Sequence, residues 1–242
     1  MTTPRVLVCT PTADKVEPET MISLFSAGKT PYQWQYSRGA LPHTFNILWA
    51  DVALNLKPRP DYLVWLHDDV APAAGWLDAL VSLMDNQDGI DYLNVPVPIK
   101  GQEGTTNNAR YNGETGELMR LTLKELADLP ALFCDEDLGE SEIIFPGTGL
   151  AICRFAGADW VEKITYETTS GNFFDAASER WKSNIAYEDY ILGIDMAKLG
   201  IVPWVTTAIH LCHVEGRREY PNHPPWGTWK HDEQKQVIKF AF

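Results

Sequence analysis

With 242 residues the chain is one large domain or two small ones, long enough to bury a core without disulfide or metal staples. Apolar residues at 45% and charged residues at 22% exclude a disordered polypeptide. The 33 acidic residues outnumber the 20 basic ones, and the net charge of −13 disfavours nucleic-acid backbones and anionic membranes as partners.

In chain order, Arg5 to Thr10 reads as a short, β-branched, buried strand that stops at Pro11. Residues just after such a strand lie at the carboxyl edge of a sheet, where α/β proteins bind ligands. A helix is expected from about Glu17 to Ala27, ended by Gly28, then a strand from Tyr32 to Ser37. Phe45, Leu48, Trp49, Val52 and Leu56 recur at helical spacing and predict a helix over Pro42 to Leu56, closed by Pro58 and Pro60. Asp61 to Leu66 is a second buried strand and runs into His67-Asp68-Asp69-Val70; Gly75 to Met84 comes next as an amphipathic helix. Asp91 to Pro98 reads as a strand, Lys100 to Asn112 as a polar loop that would serve as a lid, and Leu121 to Leu129 as a short helix. Ile143 to Ile152 carries Phe145-Pro-Gly-Thr-Gly149 and an apolar strand; Phe155 to Ile164 is expected to be helical. Glu188 to Leu199 is a helix with Gly200 as its stop, and Ile201 to Val214 is strand-like. The tail from Gly216 is rich in Pro, Trp, His and Arg. Strands alternating with helices predict a single α/β domain whose largely parallel central sheet is flanked by helices.

No apolar run approaches the roughly 18 residues of a membrane span, and the N-terminus lacks the form of a signal peptide. Cys9, Cys134, Cys153 and Cys212 show no paired spacing. The expectation is a reduced, cytoplasmic protein with buried free thiols and no membrane partner.

Four strings carry chemistry. Asp68 and Asp69 end a buried strand, where two adjacent carboxylates are costly unless something positive joins them. A divalent cation with phosphate oxygens would do so; a solvated, helix-capping turn is the equal alternative. Glu188 and Asp189 begin a helix, where the dipole favours acidic residues; the same placement suits a general base. His210 and His213 point to opposite faces of a strand, so a zinc clip by both is disfavoured, whereas His213 alone would complete a metal shell with Asp69, unless it is simply a packed or surface histidine. Gly147-Thr148-Gly149 lets backbone approach a ligand, or is an ordinary strand-entry turn.

In this order the strings resemble the inverting nucleotide-sugar glycosyltransferases of the GT-A fold. Thr10-Pro11-Thr12 resembles that family's nucleotide-contacting turn. Asn46, in Thr44-Phe45-Asn46-Ile47-Leu48, matches half of an Arg-Asn pair whose Arg is missing here. His67-Asp68-Asp69 resembles the Asp-x-Asp motif, with His67 in place of its first Asp. Gly147-Thr148-Gly149, Glu188-Asp189 and His213 resemble the acceptor-side turn, the base-bearing helix start and the late metal ligand. The likeness spans about Val6 to Gly216 and divides the chain into a nucleotide-sugar half (about 1–100), an acceptor half (about 101–215) and a tail over the site (216–242).

The resemblance implies a nucleoside diphosphate sugar as donor, UDP-linked by preference, and Mn²⁺ or Mg²⁺ held by Asp69 and His213. Thr10, Pro11, Thr12 and Asn46 would line the nucleoside pocket, with His67 and Asp68 near the ribose or sugar. Gly147, Thr148 and Gly149 would wall the site on the acceptor side. Asp189 would be the base, with Glu188 second. Arg217 and Arg218 would neutralise phosphate, Trp226 and Trp229 would stack on sugar or base, and Lys230 and Lys235 would add to a basic strip. The acceptor hydroxyl belongs to a glycan, a small molecule, a protein or, by analogy with phage-encoded members, a hydroxymethylated pyrimidine in DNA. The rival expectations are a catalytically degenerate nucleotide-binding domain and a metal-dependent hydrolase or nucleotidyltransferase.

Overall fold

The computed structural model describes residues 3–101, 104–175, 180–223 and 237–239. The first half runs β1 (Val6–Thr12), α1 (Pro18–Phe25), β2 (Tyr32–Arg38), α2 (Leu41–Asn46, widening into a π-helical segment, Ile47–Leu54), β3 (Tyr62–Leu66), β4 (Val70–Pro72), α3 (Trp76–Asn86) and β5 (Tyr92–Asn94). The second half runs β6 (Thr105–Asn112), β7 (Glu117–Thr122), α4 (Leu123–Ala127), β8 (Leu132–Phe133), β9 (Glu142–Phe145), β10 (Leu150–Arg154), β11 (Thr169–Asp175), β12 (Arg180–Ala186), α5 (Glu188–Leu199), β13 (Pro203–Thr206), β14 (Leu211–Glu215), β15 (Arg218–Pro221) and β16 (Val237–Lys239).

A seven-stranded sheet in the order β2-β1-β3-β10-β5-β13-β8 forms the centre of this α/β fold. It is mixed: β1 is parallel to β2 and β3, and β13 to β5, while β10 is antiparallel to both its neighbours and β8 to β13. Side chains of a strand alternate between faces, so the apolar runs of β1 and β3 feed two cores. Val6, Val8, Val64 and Leu66 pack with Trp76, Leu77 and Leu80 of α3 on one face. Leu7, Cys9, Leu63 and Trp65 pack with Phe45, Leu48 and Trp49 and with Leu192 and Met196 of α5 on the other. Cys9, Cys134 and Cys153 are buried free thiols and Cys212 is a partly buried one. Among the described residues no helix is long and apolar enough to cross a membrane.

Three expectations are corrected. Thr105–Asn112, read as the larger part of a polar loop, is strand β6 of a second sheet, paired with β7 and β9. The helix expected over Phe155 to Ile164 shrinks to one 3₁₀ turn, Asp159–Glu162, because Gly157 at φ +80° turns the chain out of helical geometry. Ile201 to Val214 is two strands: β13 belongs to the central sheet, whereas β14 pairs with β4 and β15 in a three-stranded sheet.

The topology gathers chemistry at one edge. The chain leaves β1, β3, β5 and β13 there, and antiparallel β10 enters from the same edge. Thr12, the acidic turn, Val95 to Lys100 and Gly147 to Gly149 therefore share it. The start of α5, which leads back to the opposite end of β13, shares it too.

Candidate functional site

The acidic turn is held by four backbone bonds, one within it and three to other segments. His67 N–H donates to the Gly149 carbonyl, Val70 N–H to that of His67, Val214 N–H to that of Asp69, and Glu17 N–H to that of Asp68. Pairing of β4 with β14 sets Val70 opposite His213 and thereby brings His213 beside Asp69. The expected metal pair is thus in contact: His213 Nε2 lies 3.1 Å from Asp69 Oδ2. The same Oδ2 takes the Lys100 ammonium at 2.5 Å. Asp69 Oδ1 is buried and has no hydrogen-bond partner among the described residues.

The His213 ring has a defined orientation. Its Nδ1 lies 2.6 Å from the Pro98 carbonyl. A carbonyl only accepts, so Nδ1 carries the hydrogen. In the neutral ring Nε2 then turns its lone pair toward a carboxylate, an arrangement that is repulsive unless a proton or a cation lies between them. Burial pushes the Asp69 carboxyl up, but the His213 hydrogen bond and charge, with His67 and Lys100, outweigh it and hold the group well below its ordinary value. Burial raises Asp68, opposed by the hydroxyl of Thr12 that donates to its Oδ2.

His67 is partly buried, packs 5.4 Å from the Phe45 ring and places Nε2 3.4 Å from Thr148 Oγ1. Burial lowers its pKa to about 4, with Asp69 opposing and His213 and Lys100 reinforcing, so the ring is neutral at neutral pH. Thr148 belongs to the turn that joins β9 to β10. Tyr92 lies fully buried beneath that turn, with its hydroxyl 3.4 Å from the Gly147 carbonyl, and it feels the charge of Asp189.

Glu188 and Asp189 open α5 after Tyr187, which offers no side-chain cap. Both are buried. Burial, and then Glu188, push Asp189 up to about 7, against the pull of Arg120 and of the Tyr190 and Asp189 backbone amides. Burial also raises Glu188. Asp189 is therefore a carboxyl that exchanges its proton near neutral pH.

Other expected contacts are committed inside the fold. Thr10, fully buried, accepts a hydrogen bond from Trp34 Nε1 at 3.0 Å. Pro11 is buried, and the Thr12 hydroxyl serves Asp68 and Asp14 N–H. Asn46 gives its amide nitrogen to the Tyr166 carbonyl at 2.7 Å and its oxygen to Tyr166 N–H at 3.0 Å, so it clamps the segment after β10 onto α2. Gly147 and Gly149 answer to packing: a Cβ on the first would run into the Asn107 amide, and one on the second would sit 2.8 Å from Val97 Cγ2. Arg217 and Arg218 stand exposed on the β14–β15 hairpin. Trp226, Trp229, Lys230 and Lys235 lie outside the described residues.

Sequence reasoning missed Lys100 and Arg120. A signal for Lys100 was present: it comes just after the strand predicted to end at Pro98, at the same carboxyl edge as Asp69. Arg120 sits mid-strand in β7, and nothing local points it toward Asp189.

No family model matches the chain, and a search of curated proteins finds no match. Among solved structures, the crystal structure of A197 from STIV is similar, with a TM-score of 0.54 over 88% of this chain and 87% of that one, at 15% identity. At that identity the likeness concerns the fold.

Proposed function

We propose that the chain is a glycosyltransferase of the GT-A type, moving a sugar from a nucleoside diphosphate sugar to an acceptor hydroxyl, with Mn²⁺ or Mg²⁺ at Asp69 and His213. The observation that carries the reading is the pairing of these two side chains. One oxygen of Asp69 is buried and unpartnered among the described residues, and the imidazole nitrogen that faces the carboxylate is the one left without a hydrogen in the neutral ring. Carboxylate oxygen and neutral imidazole suit such ions, and a ligating histidine characteristically donates its other N–H to a carbonyl, as His213 does to Pro98. Among the described residues no cluster of three or more His, Cys, Asp or Glu side chains surrounds one point. The remaining positions would fall to phosphate oxygens and water, as is usual for Mg²⁺. When bound, the ion supplies charge neutralisation for the departing diphosphate.

Asp189 accepts the proton. As the acceptor oxygen bonds to the anomeric carbon, the bond from that carbon to the phosphate oxygen breaks and its electron pair leaves with the diphosphate. The hydroxyl proton passes to Asp189, whose affinity for a proton matches neutral pH. Attack opposite the leaving group inverts the anomeric configuration. Thr148 and neutral His67 form the floor between donor and base. Because Thr10, Thr12 and Asn46 are engaged internally, backbone groups at the ends of β1 and β3 recognise the nucleoside, and Arg217 and Arg218 approach the phosphates from the hairpin.

Asp69→Ala tests the reading. The variant is expected to fold and to lose Mn²⁺-dependent binding of nucleoside diphosphate in calorimetry. Binding that persists at the wild-type affinity contradicts it. Retention of the donor's anomeric configuration in the product would overturn the assignment of Asp189.

A further inference from the structure

Lys100 has no role in the proposed reaction, yet it makes the shortest contact to the residue that matters most. Its ammonium lies 2.5 Å from Asp69 Oδ2, and the two side chains are 26% and 24% exposed, open enough for a ligand to reach. Its position is built into the fold. Ile99 N–H donates to the Thr105 carbonyl at 2.8 Å, and Pro98 bridges to Thr106, so the two residues just before Lys100 are tied to β6. The same stretch fixes His213 through the Pro98 carbonyl. Three consecutive residues, 98–100, thus orient one metal ligand and occupy the other. Lys100 satisfies a single oxygen of Asp69 and leaves Oδ1 buried without a partner among the described residues.

Charge counting decides what such a lysine does. Asp68 and Asp69 together carry two negative charges, which Lys100 and the proton shared by His213 and Asp69 at most balance, leaving no positive charge for a diphosphate. A divalent ion alone only neutralises the aspartates. The ion and Lys100 together leave one positive charge facing the phosphates.

Resting on the proposed transferase reading, we propose that Lys100 is a donor-binding residue that changes partners: it pairs with Asp69 in the free protein and moves to the diphosphate oxygens when a divalent ion takes Asp69 and His213. Lysine suits this exchange, being a compact ammonium on a flexible stem and a common phosphate ligand.

The exchange predicts two effects of opposite sign in Lys100→Met. Without nucleotide, Mn²⁺ binds more tightly, about two- to fivefold, because a competing ion pair of ordinary strength is gone. With Mn²⁺ present, the preferred nucleoside diphosphate binds more weakly, about tenfold or more, because a charge-assisted contact is lost. The experiment measures free Mn²⁺ by electron paramagnetic resonance, and UDP, GDP, CDP, ADP and dTDP binding by calorimetry. It compares wild type, Lys100→Met and Lys100→Gln, each checked by circular dichroism; the Gln variant serves if the Met variant does not fold. Tighter Mn²⁺ with weaker nucleotide supports the exchange. If wild type binds both but the variants change neither, or Mn²⁺ binding weakens, the Lys100 assignment falls and the transferase reading stands. If wild type binds neither Mn²⁺ nor any of the nucleotides, both fall.

Discussion

Two titratable residues, buried Asp189 and partly buried His67, give the site a pH signature. Asp189 has a folded pKa raised from 3.8 to about 7, so the native state holds its proton more tightly than the unfolded chain does. Its contribution is fully present below the unfolded value and is lost as pH rises toward about 7, at up to about 1.4 kcal/mol per pH unit. His67 behaves oppositely: its folded pKa falls from 6.5 to about 4, so stability is lost as pH drops through that window. Between those bounds the two slopes oppose one another. Asp189→Asn is therefore expected to unmask the His67 slope. In denaturant titrations its stability rises from pH 4 to pH 6.5 relative to wild type, the falls left by the raised Glu188, Asp68 and Asp135 being common to both proteins, and above neutrality it exceeds wild type. On the proposed reading, the same variant is expected to lower transfer by about 10²- to 10⁴-fold. A variant whose stability tracks wild type at every pH would contradict the burial assigned to Asp189. At this scale Asp69, His213 and Asp189 were legible because each ends or begins a recognisable element. Thr10 and Asn46 were read as ligand contacts because a side chain's internal partner, Trp34 or the Tyr166 backbone, is a tertiary fact that local sequence does not carry.

Elements bring these residues together through close packing. The turn before β10 fits beneath β6 only because Gly147 has no side chain. Asn107 fills the space beside it, held by a hydrogen bond from Val97 N–H at 2.9 Å to its Oδ1. Gly147→Ala is expected to displace Asn107, free that N–H and cost about 1–3 kcal/mol. Urea denaturation measures it, and a variant as stable as wild type would show that the turn yields freely. β6 itself illustrates a limit of periodicity. Thr105-Thr-Asn-Asn-Ala-Arg-Tyr-Asn112 lacks apolar alternation, yet Thr105, Thr106, Asn108 and Ala109 are buried, with Thr106 donating to the Leu121 carbonyl and Asn108 Oδ1 accepting from Asn94 Nδ2, while Asn108 Nδ2 has no partner among the described residues. A strand that buries polar groups against polar partners reads as a loop. The 155–164 segment shows the converse: its apolar spacing was helical, but Trp160, Val161 and Ile164 reach the core from a 3₁₀ turn and the chain beyond it.

The whole molecule places the site through topology. The buried strands β1 and β3 were legible in their unbroken apolar runs, and so was their α/β setting. The insertion of antiparallel β10 between β3 and β5 was not, because pairing partners far apart in sequence leave no local mark. That insertion brings Gly147 to Gly149, which lead into β10, to the same sheet edge as the acidic turn, where His67 N–H donates to the Gly149 carbonyl. The net charge of −13 makes the local balance at this edge decisive: an anionic donor needs a cation there. The most direct measurement is thermal unfolding with UDP, GDP, CDP, ADP and dTDP, each with Mn²⁺ or with EDTA. At about a hundredfold excess over Kd a native-state ligand adds about 2.7 kcal/mol, a rise in Tm of about 5–10 °C for a chain of this size. A rise with one nucleotide, present with Mn²⁺ and absent with EDTA, is the predicted result, and an unchanged Tm with all five nucleotides would contradict the account.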